Sequence, residues 1–98
     1  MTLPLVFRPV AQAEFVAATA WYEDQRPGLG GDFVAEVQQV FETIANHPQQ
    51  YPVADGDVRE ALVSRFPYCV YFRVKPDWIV VIAVFHTSRD PSLWQVRK

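Results

Sequence analysis

Eight consecutive apolar residues, Trp78 to Phe85, constrain the fold of this chain more than any other stretch. A run of that length, rich in β-branched side chains and bounded by polar residues, fits a central strand with both faces covered. The preceding run, Tyr68 to Val74, alternates instead. Tyr68, Val70, Phe72 and Val74 fall on one face and Cys69, Tyr71 and Arg73 on the other, so one side of the sheet is expected to be partly open there. Lys75-Pro76-Asp77 separates the runs, which predicts an antiparallel hairpin closed by a three- or four-residue turn.

The earlier part of the chain has a different period. Leu3, Leu5 and Phe7 alternate with Pro4, Val6 and Arg8 as a short first strand. From Pro9, the apolar residues Ala11, Phe15, Ala18 and Tyr22 recur at helical spacing, widened by Ala17 and Trp21, and predict an amphipathic helix over 10–26. Arg26-Pro27-Gly28-Leu29-Gly30-Gly31 supplies a turn; no lysine with a following serine or threonine comes after its glycines, which excludes a phosphate loop of that type. A second helix is expected from an Asp32 N-cap, with Phe33, Val37, Val40, Phe41 and Ile44 on one face and Pro48 as its stop. Residues 47–57 read as a loop, and Val58 to Val63 as an exposed edge strand.

The resulting order is strand, helix, helix, then three strands. This predicts an α+β fold, with two N-terminal helices packed on one face of a small antiparallel-rich sheet. The expected core joins Phe15, Tyr22, Phe33, Val37, Phe41 and Ile44 to Val70, Phe72, Val81 and Ala83.

At 98 residues the chain is expected to form one domain, spanning 1–98. Its longest apolar run falls short of the roughly 20 residues of a membrane span, and its start lacks the basic and long apolar regions of a secretory signal. A cytoplasmic location without membrane contact is the expectation. The single cysteine, Cys69, excludes an internal disulfide or a cysteine metal cluster and reads as a buried thiol. His47 has no histidine or cysteine near it in sequence and reads as a packing residue rather than a metal ligand. No cofactor is expected.

The net charge of −2 hides an asymmetry. Residues 1–57 carry two basic against eight acidic residues, a balance of −6, whereas residues 58–98 carry seven against three, a balance of +4. A basic sheet half could receive an acidic partner or a phosphate backbone. The acidic whole argues against strong non-specific nucleic-acid binding, which scales with the phosphates neutralised.

No HExxH, GxSxG, CxxC or paired-carboxylate pattern is present, so enzymes with those signatures are not supported. The remaining candidates are Arg59, Arg65, Arg73, His86 and Arg89. Arginines on a sheet can clamp phosphates, and a histidine beside them can move protons near neutral pH. Equally, Arg59 and Arg65 can pair with acidic side chains, His86 can hold the turn toward Pro91, and Arg89-Asp90 can form a salt-bridged turn.

Several stretches recur together in a known family: Gly30-Gly31-Asp32-Phe33 entering the second helix, the exit at His47-Pro48, Val58-Arg59, Phe66-Pro67-Tyr68-Cys69-Val70-Tyr71-Phe72, and Val84-Phe85-His86-Thr87-Ser88-Arg89-Asp90-Pro91 with Trp94. In these the chain resembles, nearly end to end, the RelE/ParE superfamily of toxins of bacterial type II toxin-antitoxin systems. The resemblance implies the α+β fold above, with the first strand beside the last. It also implies one of two activities, mRNA cleavage on the ribosome or inhibition of DNA gyrase, and neutralisation by a cognate antitoxin in a toxin-antitoxin hetero-oligomer.

The Phe-Pro-Tyr run and the His-x-x-Arg-Asp-Pro-x-x-Trp ending look closer to the ParE-like branch, associated with plasmid stabilisation and growth inhibition through gyrase. Asp55 and Asp57 stand where ribosomal nucleases are lysine-rich. Trp94 stands near their terminal tyrosine, and its indole is no general acid or base. The expected target contacts are then Arg59, Arg65, Arg73, His86, Arg89 and Trp94, with no catalytic residue assigned. The alternatives are a ribosome-dependent endoribonuclease, for which ribosome and mRNA would be the partners, and a non-toxic relative that binds a partner.

Overall fold

The structure, a computed structural model, describes residues 2–97. Met1 and Lys98, the latter one of the basic residues counted above, lie outside the described residues. In chain order the elements are β1 (Leu5–Phe7), α1 (Pro9–Gln25), α2 (Leu29–Asn46), a 3-10 turn (Pro48–Gln50), β2 (Val53–Asp55), β3 (Val58–Leu62), β4 (Tyr68–Val74), β5 (Ile79–His86) and α3 (Ser92–Gln95). The sheet runs β1-β5-β4-β3-β2, which puts the apolar run between two neighbours. β1 pairs parallel with β5; the other pairs are antiparallel.

The two N-terminal helices pack on one face, as expected from their apolar stripes. Phe33, Val37 and Ile44 of α2 and Ala11 and Ala18 of α1 are buried with Val70, Phe72, Ile79, Val81 and Val84 of the sheet. Phe15, Tyr22 and Phe41 pack against this core while only partly buried. The helices meet closely at Gly30, where an added Cβ would lie 2.9 Å from the Thr19 carbonyl oxygen. No described helix is long and apolar enough to cross a membrane.

Three local readings need correction. Ala83 lies on the opposite face from the helices, in a second cluster with Val58, Ile82, Phe85 and Trp94. The reason is a bulge: Tyr71 pairs with Ala83 but Phe72 pairs with Val81, so Ile82 is an extra residue and the two-residue alternation shifts. In a run that is apolar throughout, no polar residue marks such a shift.

β3 is not an edge strand, because β2 pairs along its outer side. Val53 pairs with Arg59 and Asp55 with Val58, and the Glu60 amide donates to the Pro52 carbonyl. β2 has only three residues and follows Pro52, so its strand pattern is too short to stand out from a loop.

Asp32 is not the N-cap of α2. That position is Gly28, held at φ +91°, a left-handed conformation that favours glycine. The unpaired amides of the helix start are met from the neighbouring helix: the Glu23 carboxylate accepts from Gly28 at 3.0 Å and from Gly30 at 3.0 Å. Asp32 sits in the first turn, with Arg26 3.7 Å away.

Candidate functional site

β1 is only three residues long and covers β5 no further than Val81. Beyond that point the edge of β5 needs other partners. Glu14 of α1 supplies one, accepting from the Val84 amide at 3.1 Å. Arg97 supplies another, reaching the Ile82 carbonyl at 3.4 Å. Arg97 also grips both oxygens of Glu14, at 3.0 and 2.9 Å, while Arg89 approaches the same carboxylate at 3.2 Å. Arg8 donates in turn to the Arg97 carbonyl.

Glu14 is thus the hub of the polar cluster, 13% exposed at its side chain, and sequence reasoning passed over it. Its partners lie 70 to 83 residues away. One signal was present: Glu14 is three residues from Ala11 and four from Ala18, which places a carboxylate on the buried stripe of α1.

The predicted site residues do not converge. Arg59 holds the loop before β2, donating to the Tyr51 carbonyl at 2.5 Å and to Gln49 Oε1 at 3.0 Å. Arg65, at φ +70°, pairs with Glu36 of α2 at 3.1 Å and lies 3.9 Å from Asp32. The Arg73 Nε–H donates to Asp57 at 2.9 Å, leaving its side chain 15% exposed. This hydrogen bond holds the Asp57 carboxyl below its ordinary pKa. The expected open arginine face is therefore tied to carboxylates and carbonyls of the chain itself.

Trp94 is also placed differently from its expected role as a surface contact. It is 2% exposed and stacks on Tyr71 with centroids 4.0 Å apart, closing the sheet face opposite the helices. Burial first, then Cys69 and Glu60 nearby, push the Tyr71 phenol up to about 12. The Trp94 N–H opposes this by proximity but meets no acceptor at hydrogen-bond geometry. Cys69 is buried, and that burial raises its thiol.

His86 and Arg89 do come together, at the C-terminal end of β5. The His86 Nδ1 accepts from the Ser88 amide at 3.0 Å and lies 2.8 Å from the Ser88 hydroxyl. Its ring meets Tyr68 edge-on at 5.2 Å. Arg89 lies over the Phe85 ring at 4.3 Å and remains 45% exposed. Among the described residues, no group of three or more His, Cys, Asp or Glu is placed to hold a metal ion.

A separate groove runs along the outer side of the helical hairpin, away from the sheet. It encloses about 570 Å³ and is lined by Phe15, Val16, Ala20 and Val34, with Gln12 and Glu23 at its polar margin.

The family model for the ParE toxin of type II toxin-antitoxin systems, parDE, matches residues 5–91. Among solved structures, the chain is similar to one from the chromosomal ParDE TA system of P. aeruginosa. The two share 20% identity over 89% of this chain and 98% of that one, with a TM-score of 0.77. No curated protein sequence matches. The family match runs from the start of β1 to Pro91, the last residue of the His-x-x-Arg-Asp-Pro motif, and the chain belongs to the ParE toxin family of type II toxin-antitoxin systems.

Proposed function

We propose that this protein is a toxin that acts by protein contact, with DNA gyrase as its target, and that a cognate antitoxin neutralises it. The observation that carries this reading is the family membership across residues 5–91. The engagement of the arginines supports contact over cleavage. Arg59 and Arg73 are held by internal acceptors, and Trp94 is buried. Arg65 and Arg89 keep solvent access, 61% and 45%, and serve in this reading as the target contacts.

The antitoxin occupies the apolar groove of the helical hairpin, where burial rather than charge supplies affinity. An acidic helix alone would be repelled from the half of the chain with charge −6.

Purified protein added to a gyrase supercoiling reaction and to ribosomes translating a defined mRNA separates the alternatives. Inhibited supercoiling with intact mRNA is the expected result, and Arg65→Glu with Arg89→Glu should relieve it while the protein stays folded. Cleaved mRNA would decide for the endoribonuclease, and neither effect for a non-toxic partner-binding relative.

A further inference from the structure

A second concavity lies on another side of α1. Two cavities of about 250 and 390 Å³ share Trp21, Tyr68 and His86 as walls, with Pro67 at one end and Arg89 at the other. The helix that lends Val16 and Ala20 to the hairpin groove lends Ala17 and Trp21 to this cleft, so both sites can be filled at once.

The walls are unusual for a surface that meets only water. Trp21 is 59% exposed, although its ring meets Tyr22 edge-on at 5.1 Å. Tyr22 in turn lies 6.1 Å from Tyr68. Rings that line a cleft offer flat apolar surface against which an aromatic side chain can pack.

The polar end of the cleft favours an acceptor. Both oxygens of Glu14 are occupied by Arg97, so Arg89 adds a positive charge that this carboxylate does not fully cancel. One of the five N–H groups of Arg89 is spent on Glu14. The Ser88 amide donates to His86 Nδ1, which assigns the proton of the neutral ring to Nε2 and makes Nε2–H a donor. A nucleic acid fits less well. Its charge repeats at every nucleotide, whereas Arg89, at one end, is the only arginine or lysine among the residues that line the two cavities.

We propose that this cleft docks an extended acidic polypeptide segment, seating one aromatic side chain against Trp21, Tyr68 and Pro67 and an adjacent carboxylate on Arg89 and the His86 Nε2–H. Two cavities that share walls but differ at their ends suit a chain rather than a single ring. The site is distinct from the hairpin groove and shares Arg89 with the target contacts proposed above, whatever the target's identity.

The test is nitrogen-edited NMR of the intact protein titrated with the capped peptide acetyl-Glu-Phe-Glu-amide. The expected result is movement of the Trp21 indole signal and of the Val84 to Arg89 amides, with the Val16 and Val34 amides unmoved. Replacing either glutamates by glutamine or phenylalanine by alanine in the peptide should weaken binding about tenfold or more. Trp21→Ala and Arg89→Gln should do the same, with the buried Trp94 indole signal unmoved as the check that the protein is folded. Four outcomes would overturn the proposal: no movement at millimolar peptide, movement centred on Val16 and Val34, equal response to the neutral peptide, or tighter binding of a dinucleotide at the same residues.

Discussion

On the helix side of the sheet, Phe33, Val37 and Ile44 lie over Val70, Phe72 and Val81, and two helices of 17 and 18 residues hold them there. On the other side, Val58, Ile82, Ala83 and Phe85 are closed off by Trp94, carried on a helix of four residues. A helix that short does not hold itself together in water. It is kept in place by the stack on Tyr71 and by Arg97, whose carboxylate partner stands on α1 beside the edge of β5. One side is secured by apolar area and the other by a polar tether around a small apolar lid. The difference separates the fold's stability from that of its C-terminal segment.

Removing area should have the largest effect. Phe33 is fully buried and makes ring contacts with Phe15, Tyr22, Phe66 and Tyr68. Phe33→Ala is expected to lower unfolding stability by about 3 to 5 kcal/mol in urea. A loss under about 1 kcal/mol would mean that the helix side is not the main core.

Cutting the tether should cost less and act locally. Glu14→Gln leaves Arg89 and Arg97 without their carboxylate, with an expected loss of about 2 kcal/mol. Hydrogen exchange should rise at Trp94 and Gln95, while the amides around Val37 in α2 stay protected. A uniform rise across both regions would show that the two sides unfold as one unit.

The smallest effect is a pH signature of the lid. The folded protein keeps the Tyr71 phenol protonated up to about 12, whereas an unfolded tyrosine ionises near about 10. Between those values the folded state binds the extra proton, so its contribution to stability is complete below about pH 10 and lost as pH rises through about 12. Tyr22 and Tyr68, also raised by burial, act in the same direction. Thermal melts across this range should show a shallower decline for Tyr71→Phe than for the parent chain. An unchanged decline would assign the effect to the tyrosines of the helix side.

What the sequence disclosed follows the same division. The hairpin, both long helices and their shared face were legible, because a period of two or of 3.6 repeated over many residues leaves a pattern. The bulge at Ile82 was not, since all of its neighbours are apolar, and neither was β2, with three residues after a proline. The site was less legible than the fold. Arg73 looked available, and the pairing considered for Arg59 and Arg65 had no named partner, because Tyr51, Glu36 and Asp57 become neighbours only through folding; Arg65 does pair with a carboxylate, Arg59 with a carbonyl. Glu14 looked like one acidic residue among several for the same reason. His86 and Arg89 were placed together by adjacency in the chain, as are Trp21 with Tyr22 and Pro67 with Tyr68, whereas the meeting of these three stretches at one cleft is set by the fold.

The parallel pairing of β1 with β5 sets an order of events. Val6 sits opposite Val80, so the N-terminal strand of the sheet has no place to pair until the last strand exists. Pairing across such a distance closes a long loop before any local contact offsets its entropy, which slows folding relative to a helical bundle of this size. On the ribosome, α1 and α2 are made first, and their apolar stripe must wait for β4 and β5 to cover it. A chain interrupted before about residue 79 has neither the neighbour of β1 nor the floor of the core. It therefore exposes a sticky helical hairpin rather than a smaller working copy.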